Sequence, residues 1–329
     1  MRELAKGKIL ITGAGGFIGS HLVELCCENN LDVRAFVRYN SKNSWGWLES
    51  SPYKNEMEVI SGDIRDYDSV RKAVKGCTTV FHLAALIGIP YSYVSPIAYV
   101  KTNIEGTYNI LEAAKTERCE NILITSTSET YGSAQYVPID EKHPMVGQSP
   151  YSATKIGADH LALSYYRSFD LPVKIVRPFN TFGPRQSARA VIPTTITQIL
   201  AGNKELKLGN TEPTRDLTFV KDTAQGFMEI ARSQELLGEI TNIGMSREIS
   251  IGDLVALIAE LMQTEVIVGT ERERVRPDKS EVMRLLCDNS KLLSKTKWRP
   301  AYDLRSGLLE TIDWLKKNKH LYKSDIYNV

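Results

Sequence analysis

The chain has 329 residues, enough for one large α/β domain and a smaller second lobe. Its 41 lysines and arginines nearly balance 39 aspartates and glutamates, which excludes a charge-driven nucleic-acid or membrane-surface protein. No apolar run approaches the roughly 20 residues of a membrane helix, and the first residues lack the features of a secretory signal. We therefore expect a cytoplasmic protein without membrane or nucleic-acid partners. The five cysteines have no metal-like spacing, so we expect reduced thiols and no bound metal.

Short apolar runs alternate with longer segments of helical period through the first half of the chain. Strands are predicted at residues 8–11, 33–37, 79–83, 121–125 and 173–176, and helices at 17–28, 69–75, 96–115 and 151–169. Such alternation is typical of a Rossmann-type α/β fold, in which helices cover a doubly wound parallel sheet. Beyond Pro178 the pattern loosens, with helices predicted at 222–232, 251–261 and 304–317. We predict a Rossmann domain over residues 1–178 and a smaller C-terminal lobe over 179–329 that packs directly on it.

A glycine-rich run, T-G-A-G-G-F-I-G, follows the first strand and opens the first predicted helix. Its glycines allow a tight turn and let the backbone approach a pyrophosphate, whose charge is stabilised by the N–H groups at the helix N-terminus. The dinucleotide-binding motif requires this position between strand and helix. We therefore expect the first domain to bind NAD(P) through Gly13, Gly16, Phe17, Ile18 and Gly19.

The choice between NAD and NADP stays open in the sequence. An NAD-preferring protein usually carries Asp or Glu at the end of the second strand, where this chain has Arg38, which can pair with a 2′-phosphate. Asp63 and Ile64 follow a further strand before Gly62, which is counted as the third in chain order, and they are expected beside the adenine. His82 is expected to be a hydrogen-bonded core histidine. Leu83, Ala84 and Ala85 end the fourth strand beneath the nicotinamide, where the small Ala84 and Ala85 would keep the floor flat.

A tyrosine and a lysine four residues apart begin the helix predicted at 151–169. Tyr151 and Lys155 project from one face of this helix, so they can meet one substrate. A free tyrosine titrates near 10, but a neighbouring lysine and an oxidised nicotinamide both favour the phenolate, which can accept a hydroxyl proton. Thr127 follows the fifth strand at the carboxyl edge of the sheet, where such sheets bind ligands. We predict a redox site in which Thr127 donates a hydrogen bond to the reacting oxygen.

These residues stand within a longer set of motifs that resembles the extended short-chain dehydrogenase family of nucleotide-sugar epimerases, dehydratases and decarboxylases. Besides the glycine run, the motifs are G-D-I, H-L-A-A, S-T-S-E-T-Y-G, Y-S-A-T-K, R-P-F-N-T-F-G-P-R-Q and R-D-L-T-F-V-K-D-T, and they span nearly the whole chain. The resemblance implies a tightly bound, recycled NAD(P) and a nucleotide-sugar substrate. It also implies a homodimer formed through the helices that follow Pro96 and Tyr151.

The reaction is indicated by the run Thr127-Ser128-Glu129, which looks like the T-S-E of GDP-mannose 4,6-dehydratase and of UDP-glucuronate decarboxylases. Epimerases of the UDP-galactose kind usually lack this glutamate, and dTDP-glucose 4,6-dehydratases carry T-D-E. A dehydratase must abstract a C5 proton and expel the C6 hydroxyl, tasks that suit a carboxylate beside the redox pair. We predict a 4,6-dehydratase with Glu129 as base and acid and Ser128 as a proton relay. A decarboxylase or a 4-epimerase stays open, and intact redox residues argue against a non-enzymatic NADP-binding regulator.

Three further segments resemble UDP-N-acetylglucosamine 4,6-dehydratases of the legionaminic-acid type, which serve bacterial surface sugars. They are V-R-A-F-V-R-Y-N-S-K-N-S-W-G-W-L-E, A-A-L-I-G-I-P-Y-S-Y-V-S-P and F-G-P-R-Q-S-A-R-A-V-I-P. The resemblance implies a UDP-sugar substrate, and we expect Trp45 and Trp47 to pack a loop near the cofactor. Residues that would meet the sugar, the diphosphate or the base are Ser92, Tyr93, Asn180, Arg185, Arg189, Ile192, Arg215 and Arg276.

Overall fold

The computed structural model describes residues 6–271, 274 and 277–323. The first half contains β1 (Lys8–Thr12), α1 (Phe17–Glu28), β2 (Val33–Arg38), β3 (Met57–Gly62), α2 (Tyr67–Val74), β4 (Cys77–His82), α3 (Ile89–Val94), α4 (Pro96–Tyr99), α5 (Gly106–Thr116), β5 (Asn121–Thr125), α6 (Pro150–Phe169) and β6 (Val173–Pro178). The second half contains β7 (Asn180–Phe182), α7 (Val191–Leu200), β8 (Glu205–Leu208), β9 (Thr214–Phe219), α8 (Val220–Arg232), β10 (Ile240–Ile243), β11 (Glu248–Ser250), α9 (Ile251–Leu261), β12 (Ile267–Thr270), α10 (Ser290–Lys295) and α11 (Leu304–Asn318).

A parallel sheet forms the centre of the protein. Among the described residues it has seven strands in the order β10-β6-β5-β4-β1-β2-β3. Successive side chains of β1 point to opposite faces, so Ile9 and Ile11 pack towards α1 and α8, whereas Leu10 packs towards α2, α5 and α6. Both faces are therefore covered, as parallel sheets require. This architecture confirms the predicted Rossmann-type fold.

One strand of this sheet comes from the second half of the chain. β10 pairs with the edge of β6, where Ile240 lies opposite Ile175 and Ile243 opposite Pro178. Helix α8 packs against α1 on the same side of the sheet. The chain beyond Pro178 therefore returns to the Rossmann sheet before it completes the smaller lobe, and the division at residue 178 stays a prediction.

Within its described residues, the smaller lobe contains two short sheets and the three helices α7, α9 and α11. Strands β11, β9 and β7 form one sheet, and β12 pairs with β8 in the other. Helices α7, α9 and α11 bury apolar side chains against the first sheet, and the packed residues include Phe182, Ile196, Phe219, Leu254 and Leu308. This lobe faces the carboxyl edge of the Rossmann sheet and leaves a cleft between the two.

The helix predicted at 96–115 contains a turn of π-helix over Val100–Glu105, between α4 and α5. Such turns occur often at functional sites. Here the turn carries the buried Asn103, which accepts from the N–H of Leu86 at 2.9 Å and donates to the Leu86 carbonyl at 3.0 Å. Asn103 also donates to Oγ1 of Thr154 on α6 at 3.1 Å. The π-turn thus joins the loop after β4 to α6, the helix that carries Tyr151.

Within the described ranges, none of the helices is long and apolar enough to cross a bilayer. The same ranges contain no group of three His, Cys, Asp or Glu side chains that could hold a metal ion. All five cysteines are buried and unpaired.

Candidate active site

A cavity of about 1370 Å³ lies between the carboxyl edge of the large sheet and the smaller lobe. Open α/β sheets bind ligands in this place. The glycine turn and the loops after β2, β3 and β4 line one end, and the loops between β7 and β9 line the other. Tyr151 and Lys155 lie where the two parts meet. The cleft is large enough for two nucleotide-sized molecules placed end to end.

The glycine turn is packed so tightly that side chains would not fit. Gly13 has a φ of +68°, and an added Cβ would lie 2.8 Å from the N atom of Ala84. A Cβ at Gly19 would lie 2.2 Å from the Gly13 carbonyl oxygen. Gly16 is the N-cap of α1 and provides no side-chain cap, so in the described structure the first N–H groups of α1 face the cavity. This cradle fits a dinucleotide pyrophosphate.

A hydrogen-bond chain runs beneath the floor of the cavity. The N–H of Ala84 donates to Oγ1 of Thr12 at 3.1 Å, and Thr12 lies 2.8 Å from Nδ1 of His82. On the other side, Nε2 of His82 lies 3.3 Å from Oγ1 of Thr107, whose hydroxyl donates to the Asn103 carbonyl at 2.7 Å. Each hydroxyl has one proton, so His82 accepts at Nδ1 and donates at Nε2. Burial lowers the pKa of His82 to about 3, which keeps the ring neutral.

Basic groups surround the end of the cavity beside β2. Arg38 and Lys42 line it and are exposed. Asp63 also lines it, but its carboxylate is held by Arg65, whose Nε lies 3.0 Å from Oδ1, and this hydrogen bond lowers the pKa of Asp63. Ile64 lines the same end. The engagement of Asp63 by Arg65 was not foreseen from the sequence.

The loop with the two tryptophans packs against the glycine turn. An added Cβ at Gly15 would lie 2.3 Å from the Trp45 carbonyl oxygen, and the N–H of Trp47 donates to the Gly15 carbonyl at 3.0 Å. Trp45 lines the cavity, whereas the ring of Trp47 stacks edge-on against Trp314 of α11 at a centroid distance of 5.4 Å. The loop therefore contacts both the turn and the smaller lobe.

Tyr151, Lys155 and Thr127 lie together at the centre of the cavity. Ser149 caps α6 by accepting from the N–H of Ser152, so the helix begins at Pro150 and presents Tyr151 and Lys155 on one face. The Tyr151 phenol is hydrogen-bonded to the Thr127 side chain. Burial raises the pKa of the Tyr151 phenol well above its usual value, and the Thr127 hydrogen bond opposes this change.

Lys155 is buried, and its ammonium group lacks the water that would stabilise its charge. Burial lowers the pKa of Lys155 to about 8, and the nearby Asp159 carboxylate opposes the shift. The lysine therefore loses its proton as the pH rises through about 8. Below that pH it carries a positive charge one helical turn from Tyr151 on α6.

Glu129 and Ser128 lie in different surroundings, although they are adjacent. Both belong to the 3₁₀-helix Ser128–Tyr131, which Thr127 caps by accepting from the Glu129 N–H at 3.2 Å. Glu129 lines the cavity, and its carboxylate raises the pKa of the Tyr151 phenol. Ser128 is buried and does not line the cavity. The helical turn brings only one of the two predicted proton-transfer groups to the site.

Four of the predicted substrate residues line the far end of the cavity, namely Asn180, Arg189, Ile192 and Arg215. The Oδ1 atom of Asn180 is buried and lacks a hydrogen-bond partner among the described residues. The same is true of Oε1 of Gln186, which lines the cavity nearby. Because buried polar atoms rarely lack partners, these two oxygens point to a polar ligand.

Three other predicted substrate residues do not line this cavity. Ser92 is buried in α3, where its hydroxyl donates to the Ile89 carbonyl at 2.6 Å. The Tyr93 hydroxyl lies 2.5 Å from Oγ of Ser280. Arg185 has φ of +71° and turns to Glu24 on α1, with an N–O distance of 2.8 Å. These contacts keep the three side chains out of the cavity. The prediction for Arg276 lies outside the described residues.

Several cavity residues were missed in the sequence. Arg274 lines the far end and pairs with Glu271, with 2.5 Å between Nε and Oε2. Glu281 also lines the cavity, and its carboxylate lies 3.4 Å from Arg215. The run E-R-E-R-V-R at residues 271–276 indicates cationic side chains in this part of the chain. The pattern alone does not predict that Arg274 lines the cavity. Asn210 lines the cavity without any motif that marks it.

A Rossmann sheet with this glycine cradle and a tyrosine–lysine helix defines a dinucleotide-binding class of α/β protein. The profile of the family described as GDP-mannose 4,6 dehydratase matches residues 10–311. The chain therefore belongs to this family, within the extended short-chain dehydrogenases that act as nicotinamide-dependent nucleotide-sugar dehydratases and epimerases.

Individual relatives include both reaction types. The chain is 31% identical to the dTDP-glucose 4,6-dehydratase of Streptomyces antibioticus, over 94% of this chain and 93% of the relative. It resembles the structure of DesIV, a dTDP-glucose 4,6-dehydratase from Streptomyces venezuelae with NAD bound, at a TM-score of 0.87 and 25% identity, with 96% and 99% of the two chains covered. It also resembles the structure of a UDP-glucuronic acid 4-epimerase from Bacillus cereus in complex with UDP-glucuronic acid and NAD. The TM-score is 0.85 and the sequence identity 28%, and the match covers 96% of this chain and 100% of the epimerase chain.

Proposed function

We propose that the protein is a nucleotide-sugar 4,6-dehydratase that converts UDP-N-acetylglucosamine to a UDP-4-keto-6-deoxy-N-acetylhexosamine. The observation that carries this proposal is the Glu129 carboxylate, which lines the cavity beside Thr127 and Tyr151. A 4-epimerase needs only the redox pair, whereas a dehydratase also needs a base at C5 and an acid at C6. The resemblance of three sequence segments to UDP-N-acetylglucosamine 4,6-dehydratases supports the choice of substrate.

The glycine cradle supports a bound NAD(P), held by the turn at Gly13, Gly16 and Gly19, with Ala84 and Ala85 as the floor. When bound, the nicotinamide supplies an acceptor for the C4 hydride and a donor of the same hydride to C6. Arg38 and Lys42 at the ribose end support NADP, because both are cationic and exposed there. Relatives with bound NAD leave NAD as the alternative.

Tyr151 removes the proton from the sugar O4 hydroxyl in this proposal. Thr127 donates a hydrogen bond to the same oxygen, and the Lys155 ammonium stabilises the phenolate. Burial alone works against that phenolate, since it raises the pKa of Tyr151. A positive charge beside the phenol is therefore required, and Lys155 lies one helical turn away.

Glu129 acts after C4 has become a ketone. The ketone makes the C5 proton acidic, and Glu129 accepts it and then protonates the departing C6 hydroxyl. A single carboxylate can perform both steps, because the proton it accepts from C5 is the proton it gives to the departing C6 oxygen, and the second step restores the carboxylate. Ser128 has no place in this proposal, because its buried hydroxyl does not line the cavity.

The far end of the cavity is proposed to hold the nucleotide. Arg189, Arg215 and Arg274 bring cationic side chains there, which suits a diphosphate. Asn180 would hydrogen-bond the diphosphate, and Ile192 would pack against the base. Arg276 keeps the same proposed role from the sequence resemblance alone.

The proposal is tested by mass spectrometry of products after incubation with UDP-N-acetylglucosamine, UDP-glucose, UDP-glucuronate and GDP-mannose. Loss of one water from UDP-N-acetylglucosamine is the expected result. Loss of carbon dioxide from UDP-glucuronate would identify a decarboxylase, and a product of unchanged mass that nuclear magnetic resonance shows to be inverted at C4 would identify an epimerase. Either result, without water loss from any sugar, overturns the proposal.

The identity of the cofactor is tested separately, by releasing it from the purified protein and determining its molecular mass by mass spectrometry. We expect NADP, and we expect Arg38→Ala to weaken NADP binding more than NAD binding because only NADP carries the 2′-phosphate. Tyr39→Phe, a neighbouring exposed position, is the matched control. Equal NADP affinity in the Arg38→Ala variant and its parent would contradict the role of Arg38.

A further inference from the structure

A buried ion pair lies behind the redox residues and joins the segments that carry them. Arg177 on β6 and Asp159 on α6 approach to 2.7 Å, and their side chains are only 0% and 1% exposed. Ser126 precedes Thr127 and donates from Oγ to the same Asp159 oxygen at 2.6 Å. The guanidinium of Arg177 lies 4.8 Å from the ring centroid of Tyr131, at the end of the 3₁₀-helix that carries Glu129. The end of β5, α6 and β6 are thereby held together at one point.

Asp159 stands one helical turn after Lys155, so the two side chains lie on the same face of α6. Ser126 and Arg177 both use Oδ2 of Asp159, and Oδ1 is buried without a hydrogen-bond partner among the described residues. A carboxylate kept from water in this way acts strongly on a nearby charge, because the surrounding dielectric is low. Asp159 accordingly opposes the effect of burial on the Lys155 pKa.

Among the described residues, Asp159 is the carboxylate whose charge raises the Lys155 pKa, whereas the Glu129 carboxylate acts on the Tyr151 phenol. His82 on β4 is neutral, since burial lowers its pKa to about 3, and Tyr151 on the same helix is neutral because burial raises its pKa. Arg177 on β6 is a cation and would disfavour a second positive charge. The groups that face this region are Tyr151, Asp159, His82, Glu129, Tyr99 and Arg177.

We propose that Asp159 is a positioning residue for the redox site, which keeps Lys155 in its charged form while Ser126 and Arg177 fix the direction of its carboxylate. The proposal rests on the proposed function in one respect, because that function makes Lys155 the group that stabilises the Tyr151 phenolate. The charge of Lys155 itself is a property of the folded chain and can be measured whatever the reaction is.

The test measures the protonation of Lys155 directly. The full chain is labelled competitively with acetic anhydride over a range of pH, and peptide mass spectrometry reports the pH at which Lys155 is half reactive. Asp159→Asn should lower this midpoint by about one pH unit, because an opposing charge is lost. The alkaline limb of the kcat/KM profile should move down by the same amount. Asp170→Asn, at the C-terminal cap of the same helix, is the matched control and should leave the midpoint unchanged.

A second variant guards against misfolding, since Asp159→Asn leaves Arg177 buried without its partner. The double variant Asp159→Asn with Arg177→Gln replaces both charges by amides and should still show a lower Lys155 midpoint than the parent, by less than Asp159→Asn alone, because the Arg177 charge is removed as well. An unchanged midpoint in a folded variant overturns the proposal, even if turnover falls. A lowered midpoint supports it even if no dehydration is found, so the two proposals fail separately.

Discussion

At the scale of single residues, the proposed chemistry depends on the phenol of Tyr151, which is largely buried from water. Tyr151 is 7% exposed, and burial raises its pKa well above the usual value. It can act as a base only where neighbouring charge lowers that pKa again. In the proposed mechanism that charge belongs to Lys155, which is protonated below about pH 8. The proposal therefore requires both residues, and loss of either is expected to stop proton transfer.

Tyr151→Phe removes the hydroxyl and leaves the ring in place. We expect turnover to fall by about a thousandfold or more, because proton transfer from the sugar hydroxyl loses its acceptor. Cofactor binding and the thermal unfolding midpoint should stay close to those of the parent. Tyr67→Phe, at an exposed position on α2, is the matched control. Turnover within a few fold of the parent would show that another group takes the proton.

Glu129→Gln separates oxidation at C4 from elimination. The variant retains Tyr151 and Lys155, so near-ultraviolet absorbance of reduced cofactor should rise when substrate is added. Little 4-keto-6-deoxy product should follow, because an amide cannot accept the C5 proton. The product is measured by mass spectrometry beside the absorbance change. Full dehydration by this variant would move the base to another residue.

At the scale of elements, the local patterns were predicted well and the distant pairings were not. The turn from β1 to α1 was predicted with its glycines because strand, turn and helix signals are adjacent in the chain. β10 was missed because Ile240–Ile243 is a short strand whose pairing with β6 spans more than sixty residues. The ion pair of Arg185 with Glu24 joins residues that are 161 positions apart. The local sequence around Arg185 therefore could not show that this side chain pairs with α1 and does not line the cavity.

The close contact between the glycine turn and the Trp45–Trp47 loop predicts that a larger residue at Gly15 displaces this loop. Gly15→Ala should place a Cβ 2.3 Å from the Trp45 carbonyl oxygen, so the loop must move. We expect a loss of about 1–3 kcal/mol in the free energy of unfolding, together with weaker NAD(P) binding. Calorimetry and a cofactor titration measure the two effects.

Gly252→Ala is the control for this change, since its added Cβ would meet no atom closer than 3.6 Å. It should leave both the free energy of unfolding and the cofactor affinity near the parent values. Unchanged cofactor binding in Gly15→Ala would show that the loop has no part in shaping the turn.

At the scale of the whole molecule, the two lobes touch at places remote from the reacting groups. Trp314 of α11 contacts Trp47 on one side and Tyr322 on the other, with ring centroids 5.4 and 6.1 Å apart. The Tyr322 hydroxyl donates to the Gln186 carbonyl at 2.8 Å, and Gln186 lines the cavity. These ring contacts and the Tyr322 hydrogen bond thus connect the Trp45–Trp47 loop to the loop that carries Gln186.

We propose that the protein forms a homodimer through α4 and α5, with α6 beside them. Apolar side chains on this face are exposed, and Ile97 is 62% and Tyr108 46% exposed. Ile97→Glu should shift the protein from dimer to monomer in analytical ultracentrifugation, because the charge would be buried at the interface. Ile267→Glu, at a 73% exposed position on β12, should leave the dimer intact. A monomeric parent protein, or a dimer unaffected by Ile97→Glu, would contradict this interface.

In the proposed reaction the substrate's own hydride moves from C4 to C6, and the cofactor is regenerated in every turnover. Such transfer requires Tyr151 and Glu129 to act on one bound sugar in a closed site. The most direct test uses UDP-N-acetylglucosamine deuterated at C4, with nuclear magnetic resonance and mass spectrometry of the product. We expect a 4-keto-6-deoxy sugar with deuterium at C6 and no net consumption of NAD(P). Deuterium lost to solvent, or reduced cofactor formed in proportion to product, would contradict the account.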